Sequence, residues 1–245
     1  MVAAQAGCTK LVLSADPAYP PLHWYNGKTL QGASIEIAKR VLSDLKIPYE
    51  IRYLGPFPRV IAAAERGDID MIASLKRTPE REVFLLYPQT AAFSNPVSVF
   101  TARERPIKFR DRNDLIGKKG GKTRGNLFGS DLDDFIKSHL TLEEANLPES
   151  SFNKLALGRI DYFLTGYYTG MAILLKRGDE ASFIANAPFL VETPNYLVLA
   201  KNGHCADQLE RIEAELAMLR KSGALDDLVR KSVQRWKSKP DLFEK

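Results

Sequence analysis

The feature that most constrains this chain is a repeated change in the spacing of its apolar residues between Lys10 and Ser74. Lys10 to Ser14 is a short run of β-branched residues and leucines that ends at Asp16-Pro17. Ile35, Ala38, Val41, Leu42 and Leu45 then recur at helical spacing over Ser34 to Leu45, with Ser34 as the expected N-cap. Tyr49 to Tyr53 alternates as a strand, Arg59 to Glu65 reads as a helix closed by Gly67, and Ile69 to Ser74 reads as a buried strand. Such a β-α-β-α-β succession calls for parallel strands with helices on the sheet faces. A second block follows: strand Pro96 to Ala102, helices Asp131 to His139 and Ser151 to Gly158, strand Asp161 to Leu164, and helix Tyr167 to Lys176. Tyr196 to Ala200 is a late strand, and Ala206 to Arg220 and Leu225 to Trp236 form a helical tail. The second block repeats the architecture of the first without repeating its sequence. With 245 residues, 44% of them hydrophobic, the chain can bury one large core or two modest ones.

Several function classes are disfavoured at once. No run approaches the length a membrane-spanning helix needs, since even Met171 to Leu175 is followed by Lys176 and Arg177. The net charge of +5 comes from 35 basic residues interleaved with 30 acidic ones, which describes a solvated mixed surface rather than a nucleic-acid interface. Ala4-Gln5-Ala6 before Gly7 has the small-x-small form that signal peptidase cuts after, while the basic and apolar regions of a leader are missing upstream; Met1 is therefore read as heading a shortened chain. The two cysteines, Cys8 and Cys205, have no metal-site spacing, and one disulfide is the natural pairing in an oxidising compartment. The alternatives are two unrelated thiols or a lipid-modified Cys8, although Gln5-Ala6-Gly7 lacks the leucine usual three places before a lipidated cysteine.

In open α/β sheets, ligands sit beyond the carboxyl ends of strands. That directs attention to Asp16 to Trp24, Ser74 to Arg81 and Lys122 to Ser130. There the chain resembles the polar amino-acid family of periplasmic solute-binding proteins (family 3 extracellular solute-binding proteins). The resemblance rests on Asp16-Pro17-Ala18-Tyr19-Pro20-Pro21, Gly32 to Ala38, Gly67-Asp68-Ile69-Asp70, Thr78-Pro79-Glu80-Arg81, Gly158-Arg159-Ile160-Asp161 and the tail ending at Trp236. It implies an α/β, two-lobed periplasmic-binding-protein type II fold, each lobe a mixed, mostly parallel sheet flanked by helices. Residues 1–96 and 195–245 would form lobe one and 97–194 lobe two, with crossings near Asn95 to Val97 and Thr193 to Asn195.

By position, the resemblance makes Arg81 the clamp on a ligand carboxylate, for which a planar guanidinium fork is suited. The alternative for Arg81 is a surface salt bridge with Glu80 or Glu82. Ser74 offers a hydroxyl, Tyr19 and Phe57 are aromatic walls, and Lys76, Asp16 and Tyr167 complete the expected polar set. In lobe two, Gly125, Asn126 and Leu127 fall where the family places a helix N-terminus that donates amides to the same carboxylate. The nearby Gly117-Lys118-Lys119-Gly120-Gly121-Lys122-Thr123 imitates a phosphate loop, but three residues separate the relevant glycines where four are required, which excludes nucleotide hydrolysis.

Two positions depart from the family pattern. Gly166 stands where amino-acid binders usually carry an ammonium-binding aspartate, and Lys76 replaces a small hydroxyl residue, so that Lys76, Arg77 and Arg81 make a cationic loop. A second carboxylate, a phosphate or a ligand without an α-amine becomes a candidate beside amino acids, for which Asp16, Tyr167 and Tyr168 could build a different amine site. The expected function is that of a periplasmic receptor, a monomer without cofactor, metal or catalytic residues, that closes on a small polar or anionic solute and presents it to the membrane permease of an ABC importer. The competing readings are a ligand-sensing receptor domain and an enzyme on the same scaffold, like cyclohexadienyl dehydratase. The enzyme would need a placed acid or base, and only His23 of the three histidines lies near a predicted ligand loop.

Overall fold

A computed structural model describes residues 7–126 and 128–238, and the expected ligand residue Leu127 and the Ala4-Gln5-Ala6 site lie outside them. The chain divides into two compact units, residues 1–94 with 194–245 and residues 95–193. Among the described residues, no helix is long and apolar enough to cross a membrane.

The first unit opens with β1 (Leu11–Ser14), followed by β2 (Ala18–Tyr19), β3 (His23–Tyr25) and β4 (Leu30–Gln31), which form a small antiparallel sheet. Helix α1 (Ala33–Asp44) follows, then β5 (Tyr49–Ile51), α2 (Phe57–Arg66), β6 (Met71–Leu75), the short α3 (Pro79–Glu82), β7 (Leu85–Leu86) and β8 (Phe93–Ser94). The apolar residues that predicted α1 form its inner face: Ile35, Ala38, Val41 and Leu42 are fully buried. The expected cap is displaced. Ser34 lies inside the first turn, buried, and Gly32 is the N-cap. Only glycine fits there, because φ is +114° and a Cβ would meet the Leu22 carbonyl oxygen at 2.4 Å. Gly67 closes α2 in the left-handed conformation, as its position predicts.

The second unit contains β9 (Val97–Ala102), β10 (Lys119–Thr123), α4 (Ser130–His139), β11 (Thr141–Ala145), α5 (Pro148–Ala156), β12 (Tyr162–Gly166), α6 (Tyr167–Arg177) and β13 (Phe183–Val191). Its strands alternate between two helix-covered faces. Val97, Val99, Tyr162 and Leu164 pack with Leu132, Phe135 and Ile136 on one side, and Phe100 and Phe163 pack with Phe152 and Leu155 on the other. The chain then returns to the first unit as β14 (Pro194–Ala200), α7 (Leu209–Lys221) and α8 (Ala224–Ser238).

Both sheets are mixed. The first runs β5-β1-β6-β14-β7, with β8 also on β14, and the second runs β11-β10-β12-β9-β13. Parallel pairs join β1 to β5 and β6, and β10 to β11 and β12, where helices carry the chain between strands. β14 and β9 pair antiparallel with all their neighbours, so the antiparallel share is larger than the alternation of elements alone predicts. Cys8 and Cys205 form the expected disulfide, within the first unit. Beside it, the Asp70 carboxylate accepts from Val12 N–H at 2.8 Å and Cys205 N–H at 3.2 Å, tying β1 to the segment after β14.

Candidate functional site

In the first unit, the expected ligand residues follow β1 and β6, two adjacent parallel strands, except Phe57, which opens α2 after β5. β6 is buried along its whole length and delivers Ser74, itself 4% exposed, to its carboxyl end, where the hydroxyl donates to Asn195 Oδ1 at 3.3 Å. The chain then turns through Lys76, whose backbone carbonyl accepts from Arg81 Nη1 at 3.1 Å and from the Tyr87 hydroxyl at 3.0 Å. Burial pushes the Tyr87 hydroxyl up to about 12, so it stays protonated and a donor. The Arg81 guanidinium lies 6.0 Å from the centre of the Phe57 ring.

No carboxylate pairs with Arg81 among the described residues, and both candidates for a surface salt bridge are engaged elsewhere. Glu82 pairs with Arg77 at 3.4 Å. Glu80 turns to its own backbone N–H and the Thr78 hydroxyl, which hold its carboxyl below the usual range. The structure thus brings Arg81, Phe57 and the Lys76 backbone together, with Arg81 as a half-buried guanidinium fixed at one edge and without an anion. Of the three cations of this loop, Arg77 also holds the loop: it is 5.1 Å from the rings of both Tyr87 and Tyr196 and donates to Pro88 O at 3.0 Å.

Asp16, on the loop after β1, and Tyr19, at the end of β2, are half-buried, and the Tyr19 ring centre lies 5.1 Å from that of His23. His23 is 3% exposed, its Nδ1 has no partner among the described residues, and burial lowers its pKa to about 3. It is a neutral structural histidine rather than a poised base.

In the second unit, helix α4 starts within one residue of the predicted Asp131, downstream of Gly125 and Asn126 where the resemblance implies a helix N-terminus. Arg124 and Gly125 form a turn directly after β10, in which Gly125 takes φ +75° and Asn126 N–H donates to Thr123 O at 3.1 Å. Helix α4 begins at Ser130, and the Asp133 carboxylate already accepts from Phe128 N–H and Gly129 N–H at 3.0 Å. An internal anion therefore occupies the amides at the start of α4, whereas the expected ligand amides lie upstream at Gly125 and Asn126, the latter bonded to Thr123 O. The phosphate-loop imitation has a plain cause. Lys119 to Thr123 is strand β10, and a Cβ on Gly120 would sit 2.4 Å from the Tyr162 ring.

At Gly166 the structure supplies a partner that the sequence does not reveal. A Cβ there would lie 2.6 Å from Asn95 Nδ2. The buried Asn95 side chain accepts from Tyr168 N–H at 3.1 Å and donates to the Thr169 hydroxyl at 3.3 Å, so it caps α6 across the fold. Tyr167 is half-buried, its ring centre 5.3 Å from that of Phe189 and its N–H bonded to Pro96 O at 2.7 Å. Among the described residues, no group of three or more acidic, histidine or cysteine side chains could hold a metal ion.

Residues 11–235 match the family of bacterial extracellular solute-binding proteins, family 3. Three solved structures show the same fold. Substrate binding domain 2 of GlnP from Lactococcus lactis, in an open conformation, is 18% identical with a TM-score of 0.72, over 92% of this chain and 96% of that one. The amino acid ABC transporter substrate-binding protein AbpA from Streptococcus pneumoniae, bound to L-arginine, is 19% identical with a TM-score of 0.63, over 97% of each chain. A histidine kinase sensor domain with similarity to periplasmic binding proteins is 22% identical with a TM-score of 0.65, over 91% of this chain and 95% of that one.

Proposed function

The chain belongs to family 3 of the bacterial extracellular solute-binding proteins, and from that premise we propose that it is the periplasmic receptor of an ABC importer, capturing a small carboxylate-bearing solute, amino acids foremost. The observation that carries this reading is Arg81. Its guanidinium stands beyond the carboxyl end of a buried strand, is held in place by the Lys76 carbonyl, and lies beside an aromatic ring with no carboxylate within ion-pair distance among the described residues. A ligand carboxylate would supply the missing charge through two parallel hydrogen bonds. Ser74, Phe57, Tyr19, Asp16 and Lys76 complete the first unit's contribution. In the second unit, the turn at Gly125 and Asn126 and the Tyr167 side chain make the contribution, since Asp133 holds the amides at the start of α4. Contacts from both units make binding favour a closed form, which small-angle scattering would register as compaction on adding ligand.

A receptor is favoured over an enzyme because the histidine nearest these loops is buried and neutral. At Gly166, Asn95 fills the space where an ammonium-binding carboxylate would stand, so an α-amine must be met elsewhere, with Asp16 the acidic member of the expected ligand set. The deciding experiment is a binding panel on purified protein: L-amino acids, dicarboxylates and polyamines, read by thermal shift and calorimetry. A carboxylate-bearing solute should bind in the micromolar range or tighter. Binding of polyamines alone would refute the assignment.

A further inference from the structure

The first unit contains a cavity of about 450 Å³ that uses none of the ligand residues assigned above. It lies between the small β3–β4 sheet, the start of α1 and the last turns of α8, and its size falls in the range of small-molecule sites. Its wall is aromatic. Trp24 is nearly buried, while Tyr53 remains 45% exposed although its ring is stacked at 3.7 Å on Tyr25. A stacked tyrosine with one face left open is a ready platform for a planar group.

The rim is cationic. Lys28, Lys39 and Arg235 border the cavity against one acid, Glu36. Glu36 is paired with Lys39 at 3.1 Å, which leaves Lys28 and Arg235 with no carboxylate within ion-pair distance among the described residues. Two unpaired cations beside an aromatic shelf select an occupant with an anionic head and a flat apolar body. We propose that this cavity is a second ligand site, for a small aromatic or otherwise planar organic anion. It is independent of the Arg81 site and of the reading built on it.

The probe to use is 8-anilinonaphthalene-1-sulfonate, which has this chemistry. The chain has two tryptophans, and both report on the cavity: Trp24 lines it, and Trp236 packs edge-on against Trp24 at 5.1 Å. Saturable quenching of tryptophan emission at one probe per chain is the expected result, weakened by added salt. Lys28 and Arg235 are exposed, so a K28A/R235A variant retains the fold, which its far-ultraviolet dichroism and melting temperature would verify. That variant should bind the probe about tenfold more weakly or worse, whereas R81A should bind it as the unaltered protein does. No saturable quenching, equal binding by K28A/R235A, or loss of binding in R81A would each overturn the proposal.

Discussion

At the scale of single residues, the chemistry turns on which charges are already spent. Arg77 and Arg81 are four positions apart in one charged run, yet Arg77 pairs with Glu82 and lies over two tyrosine rings while Arg81 bonds a carbonyl, lies near an aromatic face and has no ion pair among the described residues. Removing one partner of a desolvated, charged hydrogen bond costs about 2–5 kcal/mol, so R81A should weaken binding of a carboxylate ligand by about 30-fold or more. R81K should recover only part of this, because an ammonium cannot present a planar fork. Calorimetry with the ligand found in the panel measures both, and unchanged affinity in folded R81A would remove Arg81 from the site. His23 gives a pH prediction. Its folded pKa of about 3 lies below the unfolded value of 6.5, so the unfolded chain binds the extra proton between those limits. Stability contributed by the neutral ring is complete above pH 6.5 and is lost progressively as pH falls towards 3, by about 2 kcal/mol at pH 5. Urea denaturation of wild type and H23Q at pH 7 and pH 5 should show that much less pH dependence in the variant. Parallel pH profiles would assign the acid sensitivity to other groups.

At the scale of elements, the start of α6 shows why part of this site could not be read in advance. The helix itself follows from Tyr167 to Lys176, but its cap is Asn95, whose side chain arrives from the connection between β8 and β9 and needs Gly166 for room. A pairing between residues so far apart leaves no local pattern. Loss of the cap should cost about 1 kcal/mol in N95A. G166A should cost about 1–3 kcal/mol by overpacking against Asn95, and most of that penalty should vanish in an N95A background. A thermodynamic cycle from urea denaturation measures the coupling, and additive losses would show that the two positions do not share this space. The same contrast runs through the fold. β1, α1, α2 and β6 are legible because their apolar residues keep a period, and the place of Arg81 just beyond a buried strand follows from them. β10 carries two glycines where a strand normally displays branched side chains, so Lys119 to Thr123 reads as a polar loop until the Tyr162 ring is seen filling the space above Gly120. Edge strand β11 shows its charged residues Glu143 and Glu144 to solvent, β13 contains Pro188, and β2, β3 and β4 are too short for a period to show. The start of α4 is legible to within a residue but its capping is not: Asp133 is an ordinary helix residue by sequence, and only the fold turns its carboxylate back onto Phe128 and Gly129.

At the scale of the whole molecule, the connectivity sets a stability problem that the disulfide addresses. The first unit is assembled from both ends of the chain, so β14, α7 and α8 must find β6 and α1 after the entire second unit has intervened. Cys8 and Cys205 are 197 positions apart and both belong to the first unit, so the covalent loop they close contains the whole of the second. Closing so long a loop restricts the unfolded chain most, and losing a native disulfide costs about 2–5 kcal/mol in small secreted domains. The second unit, by contrast, is one continuous stretch with its own two-sided core around Phe100, Phe163 and Phe152, and it contains no cysteine. A C8S/C205S variant should therefore lose stability unevenly. By hydrogen exchange, the slowest amides of β1, β6 and β14 should become markedly less protected while those of β9, β10 and β12 keep their rates, because only the first unit depends on holding distant parts of the chain together. Equal loss of protection in both units would mean that they unfold as one, and that the disulfide stabilises the molecule as a single cooperative body.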